Sequence, residues 1–265
     1  MSGVYIGVDG KARKVKGGYI GVDGKARKIK KGYIGVDGVA QLCWTTIEFD
    51  PVFANNTWEE IALACQMGAV PDSWAVGDQK TMTIGGTDYA IDIIGKDHDD
   101  YADGSGKAPL TFQFNGVYVT PYQMNGSNTN TGGWLSSNMR ISRLPNILSQ
   151  MPNNIQSAIK GVTKKSSKGA ASPEIITSTD KLFLLSESEV KGTTDNSFDG
   201  EGTQYNYYKL GNNTIKKLNA TAKFWWLRSP YIGNSINFCI INGSGNASHL
   251  QSSYTDCYVS PAFCF

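Results

Sequence analysis

The alternation of apolar and polar residues in the body of the chain first predicts a helix. Trp58, Ile61 and Cys65 recur at helical spacing. Thr57 precedes them, and Glu60 follows Thr57 by three residues, which is the pattern of a capping box. Further helical stretches are expected at 134–144, within 149–162 and at 186–190.

Runs of β-branched and aromatic residues predict strands through the rest of the body. The runs at 80–84 and 89–94 flank Gly85-Gly86 and predict a hairpin. The runs at 110–114 and 117–119 predict a second strand pair. Other strands are expected at 181–185, 224–227, 237–241 and 259–263. Helices combined with an antiparallel sheet indicate an α+β fold.

A 14-residue unit occurs three times at the start of the chain. Each copy opens with Tyr-Ile-Gly-Val-Asp-Gly, and the copies begin at Tyr5, Tyr19 and Tyr33. Asp-Gly between β-forming residues favours the type I′ turn of a hairpin. Because a lone two-stranded hairpin is marginal in water, this segment is predicted to serve attachment or oligomerisation, with a flexible linker as the alternative. The expected domains are the repeats at 1–43, a connector at 44–56 and a main domain at 57–265.

Positive charge is concentrated in these repeats. Residues 1–31 contain nine Lys and Arg against two Asp, whereas the whole chain has a net charge of only +2. The basic residues belong to a regular repeat, so nucleic acid is not expected as a partner. No apolar run approaches the ~18 residues of a membrane span, and the first residues do not have the pattern of a signal peptide. We therefore expect cytoplasmic synthesis without membrane insertion.

The motifs of well-known enzyme classes are incomplete in this sequence. Lys107 follows Gly106 as in a phosphate loop, but Tyr101 stands where the upstream glycine is needed. A Ser-His-Asp site has only His98 and His249 to draw on. We therefore expect neither enzymatic activity nor a cofactor.

An acidic stretch is the best candidate for chemistry outside the C-terminal region. It contains Asp97, His98, Asp99 and Asp100, with Asp103 close behind. Several carboxylates in a glycine-flanked loop suit calcium, which prefers oxygen ligands. A structural loop with a satisfied His98 is the preferred interpretation, so no metal site is expected, and calcium binding and catalysis are the alternatives.

The five cysteines have neither CxxC spacing nor neighbouring histidines. This pattern argues against a zinc site and against a complete disulfide framework. Buried free thiols are expected, and a bridge among Cys239, Cys257 and Cys264 remains open.

The segment 229–258 has the most unusual composition in the chain. Sixteen of its thirty residues are Ser, Asn, Tyr, Thr, Asp or His, and Asp256 is the only acidic or basic residue from Ser229 to the C-terminus. Apolar residues around Trp225-Trp226 and at 261–263 hold its two ends. Tyrosine combined with small polar residues is typical of antibody paratopes. The composition therefore favours a binding surface on a rigid frame, with an ordinary polar loop as the alternative.

Several motifs carry a resemblance to known families. The stretches IIGKDHDD, TFQF, YQMNGSNTNTGGW, KLFLLSESEV, EGTQYNYYK and WWLRSP resemble a domain family of uncharacterised function from gut Firmicute bacteria and their prophages. The opening repeats resemble those of phage tail-associated proteins of the same hosts. The C-terminal segment resembles the variable region of diversity-generating retroelement targets. In such proteins, randomised template adenines turn Asn codons into codons for Ser, Tyr, His, Asp, Thr and other residues.

This resemblance implies a C-type-lectin fold with variable side chains on the last strands and loops. The implied function is that of a receptor-binding protein of a phage tail or prophage, which binds a host cell-surface protein or glycan. Its implied place is the virion, with residues 1–43 contacting other tail proteins and a homotrimer by analogy. An enzyme of the formylglycine-generating or wall-degrading type and a purely structural tail protein are the alternatives. The implied ligand-binding residues are Tyr231, Asn234, Ser235, Asn237, Asn246, Ser248, His249, Gln251, Ser253, Tyr254, Asp256 and Tyr258.

Overall fold

The structure is a computed structural model that describes residues 48–265 and, before them, the backbone of six strands. These strands are β1 (Tyr5–Val8), β2 (Lys11–Lys14), β3 (Tyr19–Val22), β4 (Lys25–Lys28), β5 (Lys31–Val36) and β6 (Val39–Thr45). The chain forms two compact units, Met1–Asp50 and Pro51–Phe265.

The strands of the first unit pair as three antiparallel hairpins, β1–β2, β3–β4 and β5–β6. Val8 lies opposite Lys11, so two residues separate the paired strand ends. The second copy has the same spacing. The predicted hairpin repeats are therefore confirmed at the level of strand pairing. The Asp-Gly turns predicted between these strands lie outside the described residues.

The second unit contains five α-helices and twelve strands within residues 51–265. The helices are α1 (Trp58–Met67), α2 (Leu144–Leu148), α3 (Asn153–Ala158), α4 (Glu187–Lys191) and α5 (Asn206–Lys209). The strands are β7 (Gln79–Ile84), β8 (Thr87–Lys96), β9 (Leu110–Phe114), β10 (Val162–Gly169), β11 (Ser172–Asp180), β12 (Leu182–Phe183), β13 (Lys216–Leu218), β14 (Thr221–Lys223), β15 (Trp225–Pro230), β16 (Asn237–Ile241), β17 (Ala247–Gln251) and β18 (Ala262–Cys264). This mixture of helices and mostly antiparallel strands confirms the α+β prediction.

Helix α1 begins as the sequence predicts. The Thr57 hydroxyl accepts a hydrogen bond from the Glu60 amide at 3.1 Å, and the Glu60 carboxylate accepts one from the Thr57 amide at 2.8 Å. Gly68 ends the helix with a φ of 59°, a conformation that glycine adopts without strain. Just before α1, a 3-10 turn buries Phe53, so residues 51–56 of the expected connector belong to the folded unit.

Five strands form the main sheet, in the order β12-β18-β9-β8-β7. The C-terminal strand β18 lies next to β9 in the middle of this sheet, with Phe263 opposite Phe112. The Phe112 ring contacts the rings of Phe263, Phe265 and Trp58 at centroid distances of 5.3–5.6 Å. This aromatic cluster fixes the C-terminus of the chain in the core.

The expected pairing of residues 110–114 with 117–119 is wrong. Strand β9 instead pairs with β8 on one side and with β18 on the other. All five residues of β9 are buried, so it is a central strand whose two edges are already occupied. Residues 117–119 lie outside the strands, where the Tyr118 amide donates to the Val259 carbonyl at 2.8 Å.

The helix expected at 134–144 begins later than predicted. Regular structure begins with a π-helical turn at Met139–Arg143, which runs into α2. Before it, side chains take the local backbone partners: the Ser137 hydroxyl donates to the Trp134 carbonyl, and the Asn125 side chain accepts from the Asn138 amide. The predicted helices within 149–162 and at 186–190 are confirmed as α3 and α4.

The expected strand at 181–185 shortens to β12, and the last strand begins at Ala262 rather than at 259. The hairpin β10–β11 and the strands β13, β14 and β17 are absent from the sequence prediction.

Cys65, Cys239, Cys257 and Cys264 are buried free thiols, as expected. Among the residues that the structure describes, no helix is both long and apolar enough to span a membrane.

Candidate ligand-binding face

The polar C-terminal segment lies on and around a three-stranded antiparallel sheet, β15-β16-β17. Every residue of β15 and β16 is buried, whereas β17 is an edge strand with partly exposed side chains. Asn237 lies opposite Gln251, and Cys239 lies opposite His249. Because directly opposed residues of an antiparallel pair share a face, these side chains emerge on the same side of the sheet. We call this side, with the loops that border it, the polar face.

An aromatic pair stands on the polar face. The Tyr231 ring stacks on the His249 ring, with 3.7 Å between the ring centroids and 23° between the planes. The His249 Nδ1 atom lies 2.9 Å from the Asn237 side-chain nitrogen. Asn237 is only 8% exposed, and its Oδ1 atom is a buried oxygen with no hydrogen-bond partner among the described residues.

The loop between β15 and β16 is held from below by Asn130, which is fully buried. The Asn130 side-chain amide donates to the carbonyls of Asn234 and Asn237 at 2.9 and 2.8 Å. Its backbone amide donates to the Ser235 carbonyl at 2.7 Å. Within the loop, the Asn234 side chain accepts from the amides of Ile236 and Asn237. These bonds fix the backbone that carries Tyr231.

A second loop, residues 123–131, borders the polar face and was missed by sequence reasoning. The Asn128 side chain donates to Gln251 Oε1 at 3.1 Å and accepts from the Ser253 amide at 3.2 Å. The Thr129 amide donates to the Ser252 hydroxyl at 2.8 Å. The signal was present, because NGSNTNT at 125–131 has the same neutral polar composition as the C-terminal segment.

The structure does not bring all twelve predicted residues together. Tyr231, Asn234, Ser235, Asn237, His249, Gln251 and Ser253 lie on the polar face or in its bordering loops. Ser248 lies opposite Ile240, on the other side of the sheet. Asn246 is exposed at the turn between β16 and β17, and Tyr254 and Asp256 are exposed in the loop that follows β17.

Tyr258 is buried, with the Lys223 ammonium 5.0 Å from its ring centroid. The predictions that Asn237 and Tyr258 display exposed ligand-binding side chains are therefore wrong as to exposure. Asn237 belongs to a strand that is buried along its whole length, and Tyr258 lies where the chain returns beside Trp225.

The acidic stretch at 97–103 divides between the core and the surface. Asp99 is buried and accepts hydrogen bonds from the Lys164 ammonium at 2.7 Å and from the Thr111 hydroxyl at 2.6 Å. Asp100 is exposed and pairs with Lys107 at 2.9 Å. Within the part of the chain that the structure describes, no group of three or more His, Cys, Asp or Glu side chains is arranged to hold a metal ion. Asp99 and Asp100 thus have separate structural partners.

Asp99 belongs to a buried network of charges beneath the polar face. Glu189 accepts from the Lys164 ammonium at 2.7 Å and from the Arg228 guanidinium at 2.5 and 2.8 Å. Burial raises the pKa of Glu189, but Arg228 and Lys164 outweigh that effect and hold its pKa below the ordinary value. Burial likewise raises the pKa of Asp99, and the Lys164 ammonium reverses the shift. Both carboxylates are therefore ionised and paired.

Glu201 is the exception in this network. Burial is the largest influence on it and raises its pKa to about 7. Its carboxyl group accepts from the Ser167 amide at 2.6 Å and is hydrogen-bonded to the Ser229 hydroxyl. With Glu201 protonated, the directly paired charges balance, because Asp99 and Glu189 face Lys164 and Arg228.

The network reaches the polar face through Glu187 and Asn196. The Glu187 amide donates to the Ser229 hydroxyl, and its carboxylate accepts from the backbone and side-chain nitrogens of Asn196 at 2.9 and 2.8 Å. The Asn196 carbonyl then accepts from the Ile232 amide at 3.0 Å, next to Tyr231. Buried charges and hydrogen bonds therefore support the backbone beneath the aromatic pair.

Fold and site together define an α+β domain that ends in a neutral, hydrogen-bonding surface on a buried frame. Residues 114–265 match the family described as "Domain of unknown function (DUF6273)". This match spans more than half of the chain, so the protein belongs to that family. The matched region contains the polar face, the 123–131 loop and the network residues from Lys164 onward. No curated protein and no solved structure matches the chain.

Proposed function

We propose that the protein is a non-enzymatic receptor-binding protein of a phage tail or prophage, whose polar face binds a ligand on the host surface. The observation that carries this proposal is the contrast between frame and surface. Strands β15 and β16 are buried throughout, whereas Ser235, Gln251, Tyr254 and Asp256 are exposed around them. Substitutions at exposed positions usually change stability by no more than about 0.5 kcal/mol. Such a surface can change its partner without unfolding.

A C-type-lectin-like fold is proposed for the second unit. The C-terminal strand β18 returns to the middle of the main sheet, beside β9. Along the chain, the strands of the small sheet β15-β16-β17 come after the first four strands of the main sheet and before β18. This topology favours a domain whose C-terminal strand returns to the main sheet and whose last loops are displayed at the surface.

The hairpins of the first unit are proposed to attach the protein to other tail proteins, in a trimeric assembly. Two-stranded hairpins gain stability by packing on further strands or subunits. Several copies of a weak site on one particle raise the overall affinity roughly 10²–10⁴-fold. The proposed attachment thus lets each binding face remain individually weak.

The binding proposal predicts a loss of cell binding when exposed residues of the polar face and its loops are truncated. The variant Ser235→Ala, Gln251→Ala, Asp256→Ala is expected to bind a panel of gut Firmicute cells at least tenfold more weakly than the unchanged chain. Flow cytometry with the labelled full chain measures this. The control is Ser105→Ala, Gln66→Ala, Asp72→Ala, which removes the same exposed residue types elsewhere. Equal binding by both variants would mean that cells bind elsewhere on the chain, whereas no binding by the unchanged chain would favour the purely structural tail protein.

The retroelement proposal predicts a particular pattern of natural variation. Deep sequencing of the codons for residues 225–265 from a bacterial population is expected to show substitutions at positions that correspond to template adenines. These should concentrate at the exposed Asn246 and Tyr254 and at the partly exposed Tyr231 and His249, and spare the buried Trp225. Uniform sequences, or scattered synonymous changes, would leave the face with a fixed specificity.

A further inference from the structure

We propose that Tyr231, His249 and Asn237 form a subsite for a neutral sugar ring. We call these three residues the Tyr231 subsite. The inference rests on the proposed binding function and deepens it, because it names the chemistry of the host ligand. Three features carry it: a stacked aromatic pair, a buried side-chain amide with one unpaired atom, and flanking segments in which Asp256 is the only Asp, Glu, Lys or Arg.

The aromatic pair supplies a flat apolar surface. Tyr231 and His249 are both partly exposed, and their rings lie nearly parallel at a centroid distance of 3.7 Å. Stacking holds both rings in one orientation, so a ligand does not have to order them on binding. The C–H face of a sugar ring is apolar and matches an aromatic surface of this kind.

The Asn237 side chain supplies an unpaired hydrogen-bonding atom beside the pair. Its nitrogen contacts His249 Nδ1 at 2.9 Å, and its Oδ1 atom is buried without a partner among the described residues. Exchanging the oxygen and nitrogen of the amide only moves the unpaired atom, because His249 engages one of the two in either orientation. A buried polar group without a partner is costly, and because this atom is closed to solvent, a ligand hydroxyl gains the bond by drawing the Asn237 side chain toward the surface. A hydroxyl both donates and accepts, so it satisfies either orientation.

Neutral polar groups surround the subsite. Residues 121–133 contain no acidic or basic side chain, and Asp256 is the only one from Ser229 onward. Asn, Gln and Ser side chains offer donors and acceptors together, as sugar hydroxyls do. Protein-binding surfaces depend instead on large aromatic and apolar anchors at their centre. On the described surface of the C-terminal segment, Tyr254 is the one exposed large hydrophobic residue. This composition also serves antibody paratopes, so the stacked rings beside a side-chain amide are what favour a neutral sugar here.

The absence of a side chain at Gly233 leaves room for the Tyr231 ring, and this allows a direct test of the subsite. A Cβ atom built on Gly233 would lie 2.4 Å from the Tyr231 ring, too close for any real contact. The Gly233 backbone has no positive φ, so alanine strains nothing but the ring position. Gly243 is the matched control, because a Cβ atom there meets Phe224 at an ordinary 3.6 Å. Both substitutions add one methyl group to the same segment.

The experiment applies the full chain to an array of neutral oligosaccharides built from hexoses, deoxyhexoses and N-acetylhexosamines. We expect binding to a subset of them, weakened at least tenfold by Gly233→Ala and by Tyr231→Ala, and unchanged by Gly243→Ala. We expect His249→Phe, which keeps the stack and removes the ring nitrogen beside Asn237, to weaken binding less than Tyr231→Ala does. Equal binding by the Gly233 and Gly243 variants would overturn the subsite.

Cells treated with periodate or with protease distinguish the sugar subsite from the receptor-binding function on which it rests. Periodate destroys sugar diols on bacterial cells, whereas protease removes surface proteins. Loss of binding after periodate supports the sugar subsite. Binding that survives periodate and is lost after protease leaves the receptor-binding function standing and overturns the sugar ligand. Failure to bind any untreated cell in the panel counts against the receptor-binding function itself.

Discussion

Replacing Glu189 with glutamine is expected to destabilise the second unit by about 3–5 kcal/mol, the range found when one partner of a buried ion pair is removed. Glu189 is 2% exposed and accepts hydrogen bonds from both Lys164 and Arg228. Glutamine keeps the size of the side chain but removes its charge and replaces one of two acceptor oxygens with a donor nitrogen. Two buried cations are then left with Asp99 as their remaining paired carboxylate. Urea unfolding followed by tryptophan fluorescence measures the change as a lower midpoint at an unchanged slope.

The matched control is Glu174→Gln on the neighbouring hairpin. Glu174 pairs with Lys168 at 2.9 Å, but both side chains are more than half exposed. Exposed ion pairs contribute about 0–1 kcal/mol because water and salt screen them. If the two variants lost equal stability, the buried network would not be what holds the frame together.

This network explains how a polar surface can rest on a stable frame. It joins four separate parts of the chain: Asp99 after β8, Lys164 on β10, Glu189 on α4 and Arg228 on β15. Arg228 is fully buried and also donates to the carbonyls of Lys165 and Leu184 at 2.9 Å. Strand β15 leads directly into the loop that carries Tyr231. The network therefore holds the strand from which this loop of the polar face begins.

Local signals made part of this fold predictable. The start of α1 follows from Thr57 and Glu60, because a capping box needs only residues three apart. The hairpin β7–β8 follows in the same way from Gly85-Gly86, which have φ values of 56° and 80°. Both features depend on neighbours in sequence, and the structure confirms both.

Buried polar strands could not be predicted, because their partners are remote in sequence. Strand β10 reads as a polar, basic stretch, yet Lys164, Ser166 and Ser167 are buried. Lys164 is buried because Asp99 lies 65 residues before it and Glu189 lies 25 residues after it. No local pattern reveals such pairing. The acidic stretch was therefore interpreted as a loop or a calcium site, although Asp99 is a core residue.

The same limit applies to the candidate site. Composition identified the segment that forms the polar face, but it did not fix the register of β17 against β16. A shift by one residue moves every side chain of a strand to the opposite side. The observed register pairs Cys239 with His249 and Ile240 with Ser248, so His249 and Ser248 lie on opposite sides of the sheet. The stacking of Tyr231 on His249 shows which of these sides Tyr231 occupies.

Replacing Glu201 with glutamine is expected to raise stability at neutral and alkaline pH, with no such gain in mild acid. Burial raises the pKa of Glu201 from 4.5 to about 7. Between these values the folded state holds a proton that the unfolded chain has released, so the stability contributed by this group is complete below pH 4.5 and is lost as the pH rises through 7. At about 1.4 kcal/mol per pKa unit, the loss is about 3 kcal/mol. Glutamine stays neutral and retains an acceptor for the Ser167 amide, and its amide nitrogen requires the Ser229 hydroxyl, which donates to Glu201, to turn and accept instead.

Urea unfolding of the two proteins at several pH values from 4.5 to 8 measures this effect. The quantity of interest is the difference in unfolding free energy between the variant and the unchanged chain, which should grow by about 3 kcal/mol across that range. Asp99 and Glu189 have lowered pKa values, so their stabilisation is lost in acid in both proteins and largely cancels in the difference. A difference that stays flat with pH would mean that Glu201 is ionised in the folded protein. Asp99, Glu189 and Glu201 would then be three carboxylates facing the two cations Lys164 and Arg228, and Arg228 would have to offset the extra charge.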